Sequence, residues 1–192
     1  GSTDQTASVA ANLGAVVVHE PSKGYGSACL KGIEYISHQD THPDIVVFLD
    51  GDYSDFPQDM ESIIEPIISR GVDMVIGSRA LGNKEKGAMM PQQIFGNWLA
   101  TTLIRGLYRT HFTDLGPFRA IKYNNLMDLK MSDKTFGWTV EMQVKAAKMG
   151  LKTAEVPVRY RKRIGESKVS GTIKGTILAG YKILWTIFKL IG

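Results

Sequence analysis

The segment Asp44 to Leu49 (DIVVFL) is a nearly continuous apolar run bounded by turn-forming residues, and Asp50-Gly-Asp52 follows it at once. An apolar run of this length reads as a strand buried on both faces, which is the habit of parallel sheets covered by helices on each side. Two carboxylates at the carboxyl end of such a strand stand where open α/β sheets bind ligands. This one stretch therefore asks for a layered α/β domain with a chemical site at a sheet edge.

The rest of the chain repeats the alternation. Gln5 to Leu13 has a helical pattern, with Ser2, Thr3 and Asp4 as candidate caps, and Ala15 to His19 (AVVVH) reads as a strand. A helix is expected from Ser27 to Ile36, and Gly24-Tyr-Gly26 reads as the tight turn before it. Pro57 suits the start of another helix, in which Met60, Ile63, Ile64, Ile67 and Ile68 recur at helical spacing and Pro66 is expected to kink the axis. Strand Asp73 to Gly77 follows. A helix from Gln92 to Tyr108 would place Phe95, Trp98, Leu99, Thr102, Ile104 and Tyr108 near one face. Phe118 to Ile121 reads as a short strand, Thr139 to Met149 as a helix stopped by Gly150, and Thr153 to Tyr160 as a strand. Asn83 to Met90 is polar and glycine-containing, hence a loop. The expected fold is α/β, three-layered, with a mostly parallel sheet.

Composition narrows the function. Of 192 residues 43% are hydrophobic, enough to fill the core of one domain and to exclude disorder. Cys29, on an expected helix, is the single cysteine. It forms no internal bridge and suits a reducing, cytoplasmic compartment. His19, His38, His42 and His111 lack metal-ligand spacing. The net charge is +4, and Arg159 to Lys168 (RYRKRIGESK), with five basic residues and one acid, carries all of it. Charge so concentrated describes a small anion site; nucleic acid would call for a basic face.

Asp50 and Asp52 suit a hard divalent cation, Mg²⁺ or Mn²⁺, whose open positions take diphosphate oxygens. The alternative is a plain turn in which Ser54 or Asp55 caps the next helix. Arg163, Ser167 and Lys168 provide a planar fork, a hydroxyl and a point charge for the other side of a phosphate. Arg79 ends the next strand at the same sheet edge. Asp114 and Arg119 lie in the turn Thr113 to Arg119, and Glu141 lies in the first turn of a helix. Each of these reads equally as a cap or ion pair.

Thr172 to Gly192 is strongly apolar, with Lys174, Lys182 and Lys189 eight and seven residues apart on roughly one quadrant of a helix. Its longest uncharged stretch is seven residues, against the ~18 needed to span a bilayer. The segment reads either as an interfacial helix with lysines toward headgroups or as a helix packed on the domain or on a dimer partner.

The ordered motifs GSTDQTA, KGYG, FLDGDYSDFP, IGSRALG, TDLGPFRAI, FGWTVEMQVKAAKMG and EVPVRYRKRIGESKVSG resemble those of the family 2 inverting glycosyltransferases of GT-A architecture. Within them the likeness is to the bacterial branch related to dolichyl-phosphate mannose and glucose synthases, over nearly the whole chain. The resemblance implies that Asp50 and Asp52 are the DXD metal and diphosphate ligands, with Asp52 also counted among the catalytic residues. It implies that Arg163, Ser167 and Lys168 belong to a segment closing on donor and acceptor phosphates, that Arg79 and Arg119 lie toward the acceptor, and that Asp114 and Glu141 line the pocket. It also implies a UDP- or GDP-sugar donor, a polyprenyl phosphate acceptor, peripheral contact with the inner membrane face, and homo-oligomer formation. On this reading residues 1–171 form the catalytic domain and 172–192 an amphipathic helix. Such enzymes open with a strand, a helix and a second strand before GSTD, so the chain is expected to be N-terminally truncated and to bind donor weakly.

Two acceptor chemistries stay open at this point. A polyprenyl phosphate oxygen is already anionic, and no protein base is needed; a sugar hydroxyl would need one, with Asp114 or Glu141 as candidates. Two other functions compete. Nucleotidyl transfer would call for a glycine-rich basic loop on a first strand, and an inactive donor-binding or assembly module would lack transfer altogether.

Overall fold

The strands expected at 44–49, 73–77, 118–121 and 153–160 form as β1 (Ile45–Phe48), β2 (Met74–Ser78), β3 (Arg119–Lys122) and β4 (Thr153–Pro157), in one sheet ordered β1-β3-β2-β4. The computed structural model describes residues 4–165 and 173–191. β3 runs antiparallel to both β1 and β2, with Val47 opposite Ala120 and Val75 opposite Ala120, while β2 and β4 pair in parallel. Three strands therefore share one direction and β3 opposes them. This has a direct consequence for the site: the carboxyl ends of β1, β2 and β4 and the amino end of β3 all meet at one sheet edge.

Helices cover both faces. Met74 and Ile76 of β2 and Ile121 of β3 point into the larger core. There they meet α2 (Tyr25–Ser37), α4 (Pro91–Tyr108), α6 (Trp138–Lys148) and α7 (Ile173–Lys189). The alternate residues Val75 and Ala120 point the other way, onto Ile63 and Ile67 of α3 (Met60–Arg70). The period of two along the strands thus sorts side chains into two cores and yields three layers. α3 follows a 3-10 turn at Pro57–Asp59, runs through Pro66 without a break, and stops at Gly71, whose φ of 63° is left-handed.

Several expectations are corrected. The first helix, α1 (Thr6–Asn12), forms, with Asp4 Oδ1 accepting hydrogen bonds from the Thr6 amide and hydroxyl; Ser2 and Thr3 lie outside the described residues. Ala15 to His19 belongs to no strand or helix, and Val16 is 66% exposed. β-branched composition favours a strand only where a neighbouring edge offers hydrogen bonds. A short helix, α5 (Tyr123–Asp128), forms directly after β3 where none was expected.

α4 buries Ala100, Thr101 and Ile104 and packs Tyr108 against the core, whereas Phe95 and Trp98 are exposed, so only the carboxyl-terminal part of the apolar face read from its sequence packs. α7 has two apolar sides. Ile187 is fully buried in the main core, with Ile183 and Leu190 packed against it, while Ile177, Leu178, Tyr181, Trp185 and Phe188 face outward. Lys182 is held by Asp133 at 2.9 Å and so points at the protein, not away from it. The Lys174 side chain lies outside the described residues.

Candidate active site

Asp50 and Asp52 leave the end of β1 in a turn held by local bonds. Asp52 Oδ1 accepts from the Ser54 amide at 3.0 Å and from its hydroxyl at 2.5 Å. Between them Tyr53 has a φ of 73°, a conformation that costs an aromatic residue energy. The chain after β4 crosses this turn as a strap. The Arg161 amide donates to the Ser54 carbonyl and the Ile164 amide to the Asp52 carbonyl, both at 3.0 Å. Arg161 also donates through Nε to the Tyr53 carbonyl, and its guanidinium lies over the Tyr53 and Phe56 rings at 3.2 and 4.2 Å. At the root of the strap Arg159 grips Asp59 at 2.6 Å. From its far end Arg163 reaches back to Asp52 Oδ2 at 3.3 Å.

These residues open onto a cavity of about 680 Å³. Its polar wall holds Asp50, Asp52, Arg79, Tyr160 and Arg163. Met89, Leu115, Pro117, Phe136 and Ile183 line the same cavity, with Gly96 of α4 and Ala179 and Gly180 of α7 as its small residues. Asp50, Asp52, Arg79 and Arg163, predicted from sequence, are thus gathered around one space. Burial first, and the Asp52 charge second, hold the Asp50 carboxyl above its usual range. Behind them Asp55 is 3% exposed and neither carboxylate oxygen has a hydrogen-bond partner. Burial, then the Asp50 charge, pushes it up to about 7.

Such a concentration of incompletely neutralised carboxylate is the chemistry of a hard-cation site, and the donors fit Mg²⁺ or Mn²⁺. Among the described residues no group of three or more His, Cys, Asp or Glu side chains encloses a metal position. Asp50 and Asp52 would therefore hold the cation from one side only and leave its remaining positions open.

Other expected site residues lie elsewhere. Asp114 is fully buried and gives both oxygens to Arg79: Oδ2 accepts from its amide and Nε at 2.7 and 2.8 Å, Oδ1 from Nη2 at 2.7 Å. Arg119 is fully buried under the cavity. Its guanidinium donates to the carbonyls of Leu115, Gly116 and Thr139, so it braces the 114–117 turn against α6 and offers nothing to a phosphate. Burial lowers it to about 10. Glu141 lines a separate cavity of about 280 Å³. It accepts from the Ser132 and Asp133 amides, the Ser132 hydroxyl and Lys145. Asp114 and Glu141, expected to line the pocket, and Arg119, expected toward the acceptor, are outside the lining of the larger cavity and act as supports, because buried charges settle where partners satisfy them. Ser167 and Lys168 lie outside the described residues. The sequence reading missed Arg161 and Tyr160, although both sit in the basic segment it singled out. It also missed Asn97, which ties α4 to the 113–115 turn by donating to the Thr113 carbonyl and accepting from the Leu115 amide, both at 2.8 Å.

Comparison with known proteins agrees with this geometry. Residues 1–134 match Glycosyl transferase family 2. An uncharacterised glycosyltransferase of Mycobacterium tuberculosis is 36% identical over 93% of this chain and 78% of its own length. A dolichyl-phosphate hexose transferase of Haloferax volcanii is 30% identical over 88% of this chain and 71% of its own. An undecaprenyl-phosphate mannosyltransferase of Micrococcus luteus is 28% identical over 83% and 66%. Among solved structures, glucosyl-3-phosphoglycerate synthase of Mycobacterium tuberculosis, crystallised with Mn²⁺, UDP-glucose and phosphoglyceric acid, superposes with a TM-score of 0.71 at 20% identity. It covers all of this chain, which spans 66% of that one, and at this identity the likeness concerns the fold. With Asp50, Asp52, Arg79 and Arg163 around one cavity, the match over most of the sequence makes this chain a member of glycosyl transferase family 2.

Proposed function

We propose that this protein transfers a sugar from a UDP- or GDP-sugar to the phosphate oxygen of a polyprenyl phosphate, with inversion at the anomeric carbon. One observation carries the choice of acceptor. The two carboxylates that a hydroxyl acceptor would need as base, Asp114 and Glu141, are buried and occupied by donors. The cavity that Asp50 and Asp52 share with Arg79 and Arg163 is also lined by Met89, Leu115, Pro117, Phe136 and Ile183. A nucleophile that arrives already anionic on an apolar tail suits such a mixed lining, and it needs no proton removed.

In the reaction the phosphate oxygen attacks the anomeric carbon as the bond to the nucleoside diphosphate breaks, and the electron pair leaves on the diphosphate. Asp50 and Asp52 would hold a divalent cation, which when bound would supply charge neutralisation for that leaving group. Arg163 faces the same space, and Arg79, oriented by Asp114, fixes the acceptor phosphate as a planar donor. The names of the Haloferax and Micrococcus relatives support a polyprenyl phosphate, and the ligands of the synthase structure support Mn²⁺ and a UDP-sugar.

The exposed faces of two helices support a membrane-side arrangement. α4 and α7 line the cavity with their amino-terminal halves and touch near their ends, where the Tyr108 hydroxyl donates to the Ile187 carbonyl at 2.5 Å. Their outward faces carry Phe95, Trp98, Tyr181, Trp185 and Phe188, aromatic groups suited to a bilayer interface. Among the described residues no helix is long and apolar enough to cross a membrane. The test is product formation from a UDP- or GDP-sugar and Mn²⁺ with either polyprenyl phosphate or the unphosphorylated polyprenol. Glycolipid is expected with the phosphate alone; equal transfer to the polyprenol hydroxyl, or no transfer to the phosphate, would overturn the reading.

A further inference from the structure

Asp52 has no free oxygen. Oδ1 is taken by the amide and hydroxyl of Ser54, and Oδ2 by Arg163 Nη2 at 3.3 Å. The pair is not a buried clamp: the Arg163 side chain is 41% exposed and that of Asp52 19%. An ion pair so open to water is weak and easily exchanged. Arg163 nevertheless cannot wander far when it lets go, because the neighbouring Ile164 amide is bonded to the Asp52 carbonyl and the Arg161 amide to that of Ser54. The backbone stays docked while the guanidinium is free to turn.

We propose that Arg163 is a resident counter-ion on Asp52, displaced when the divalent cation binds, and that the displaced guanidinium then serves the diphosphate. The inference rests on the metal-site reading above and adds a coupling to it. With no cation, Arg163 neutralises Asp52 and its charge is unavailable to a nucleotide. A divalent cation carries twice the charge and takes hard oxygen donors, so it replaces the guanidinium on Oδ2. The released cationic fork remains beside the cavity, where the next anion to arrive is the donor diphosphate. One side chain thereby opposes metal binding alone and favours metal and nucleotide binding together. Linkage requires the effect to be reciprocal, each ligand tightening the other by the same factor.

The test is Mn²⁺ affinity, read by paramagnetic resonance of the free ion or by calorimetry, with and without UDP or GDP and without any sugar transfer. Arg163→Gln is expected to bind Mn²⁺ alone about two- to fivefold more tightly than the unsubstituted protein, the size of an exposed ion pair. The same variant is expected to lose most of the increase in Mn²⁺ affinity that the nucleotide produces. Arg163→Lys, which keeps the charge but not the planar fork, should fall between the two. Thermal melts establish that each variant is folded, which the exposure of the side chain favours. Equal or weaker Mn²⁺ binding by Arg163→Gln in the absence of nucleotide overturns the exchange while leaving the metal site intact. No Mn²⁺ binding by any form overturns the metal reading and the exchange together.

Discussion

Arg79 closes three hydrogen bonds on Asp114, one from its backbone amide and two from its guanidinium, all between 2.7 and 2.8 Å. Asp114 is fully buried, so this carboxylate works as the anchor of an arginine whose side chain reaches the cavity wall. Asp114→Asn is expected to destabilise the protein by about 3 kcal/mol, the cost of leaving one partner of a buried pair. In transfer assays the acceptor KM should rise while the pH–rate profile keeps its shape. A lost acidic limb in that profile would mark Asp114 as a base.

Glu141 lends itself to a pH test of stability. Burial alone would raise its pKa, but the bonds from Lys145, Asp133 and Ser132 outweigh it and hold the carboxyl below its ordinary 4.5. The folded state therefore binds this proton less readily than the unfolded chain does. Its stabilisation is complete above about pH 4.5 and is lost as pH falls through the lower folded value. Glu141→Gln should cost about 1–3 kcal/mol at pH 7 and progressively less in acid, measured by urea unfolding. Transfer kcat should change little.

Cys29 packs from α2 against the main core, and its thiol is pushed up to about 12, chiefly by burial, with the hydrogen bond to the Tyr25 hydroxyl pulling the other way. At pH 8 almost no thiolate exists. Modification by a thiol reagent is expected to be at least tenfold slower in the native protein than in urea. Rapid labelling of the native protein would contradict this packing.

Trp98 and Trp185 are 59% and 52% exposed. Replacing both with Glu should leave the melting temperature nearly unchanged but lower binding to anionic phospholipid vesicles severalfold, measured by co-sedimentation. Retained binding would remove the α4–α7 face from the membrane reading. Deleting residues 172–192 is a poor substitute for this experiment, since Ile187 is fully buried and its loss opens the core.

The strand ending in Asp50-Gly-Asp52, the strand leading to Arg79 and the basic segment containing Arg163 were all legible as local patterns, because apolar runs and clustered charge are properties of neighbouring residues. The failures share a cause of another kind. Ala15 to His19 has strand composition but no partner edge, and Phe95 and Trp98 lie at helical spacing on a face that nothing covers. Whether an apolar residue is buried depends on what the rest of the chain brings against it.

The same division separates roles within the site. Residue order alone settled the four strands of the sheet and most of the helices, which side chains are charged, and that two carboxylates and an arginine-rich segment follow strand ends. Tertiary structure decided which charges remain available. β3 begins at Arg119 and the turn leading into it holds Asp114, so both reach the shared sheet edge, yet folding turns both inward, onto three backbone carbonyls and onto Arg79 respectively. A charge withdrawn from water must find a partner, and a partner 35 residues away, as Asp114 is from Arg79, leaves no trace in local sequence.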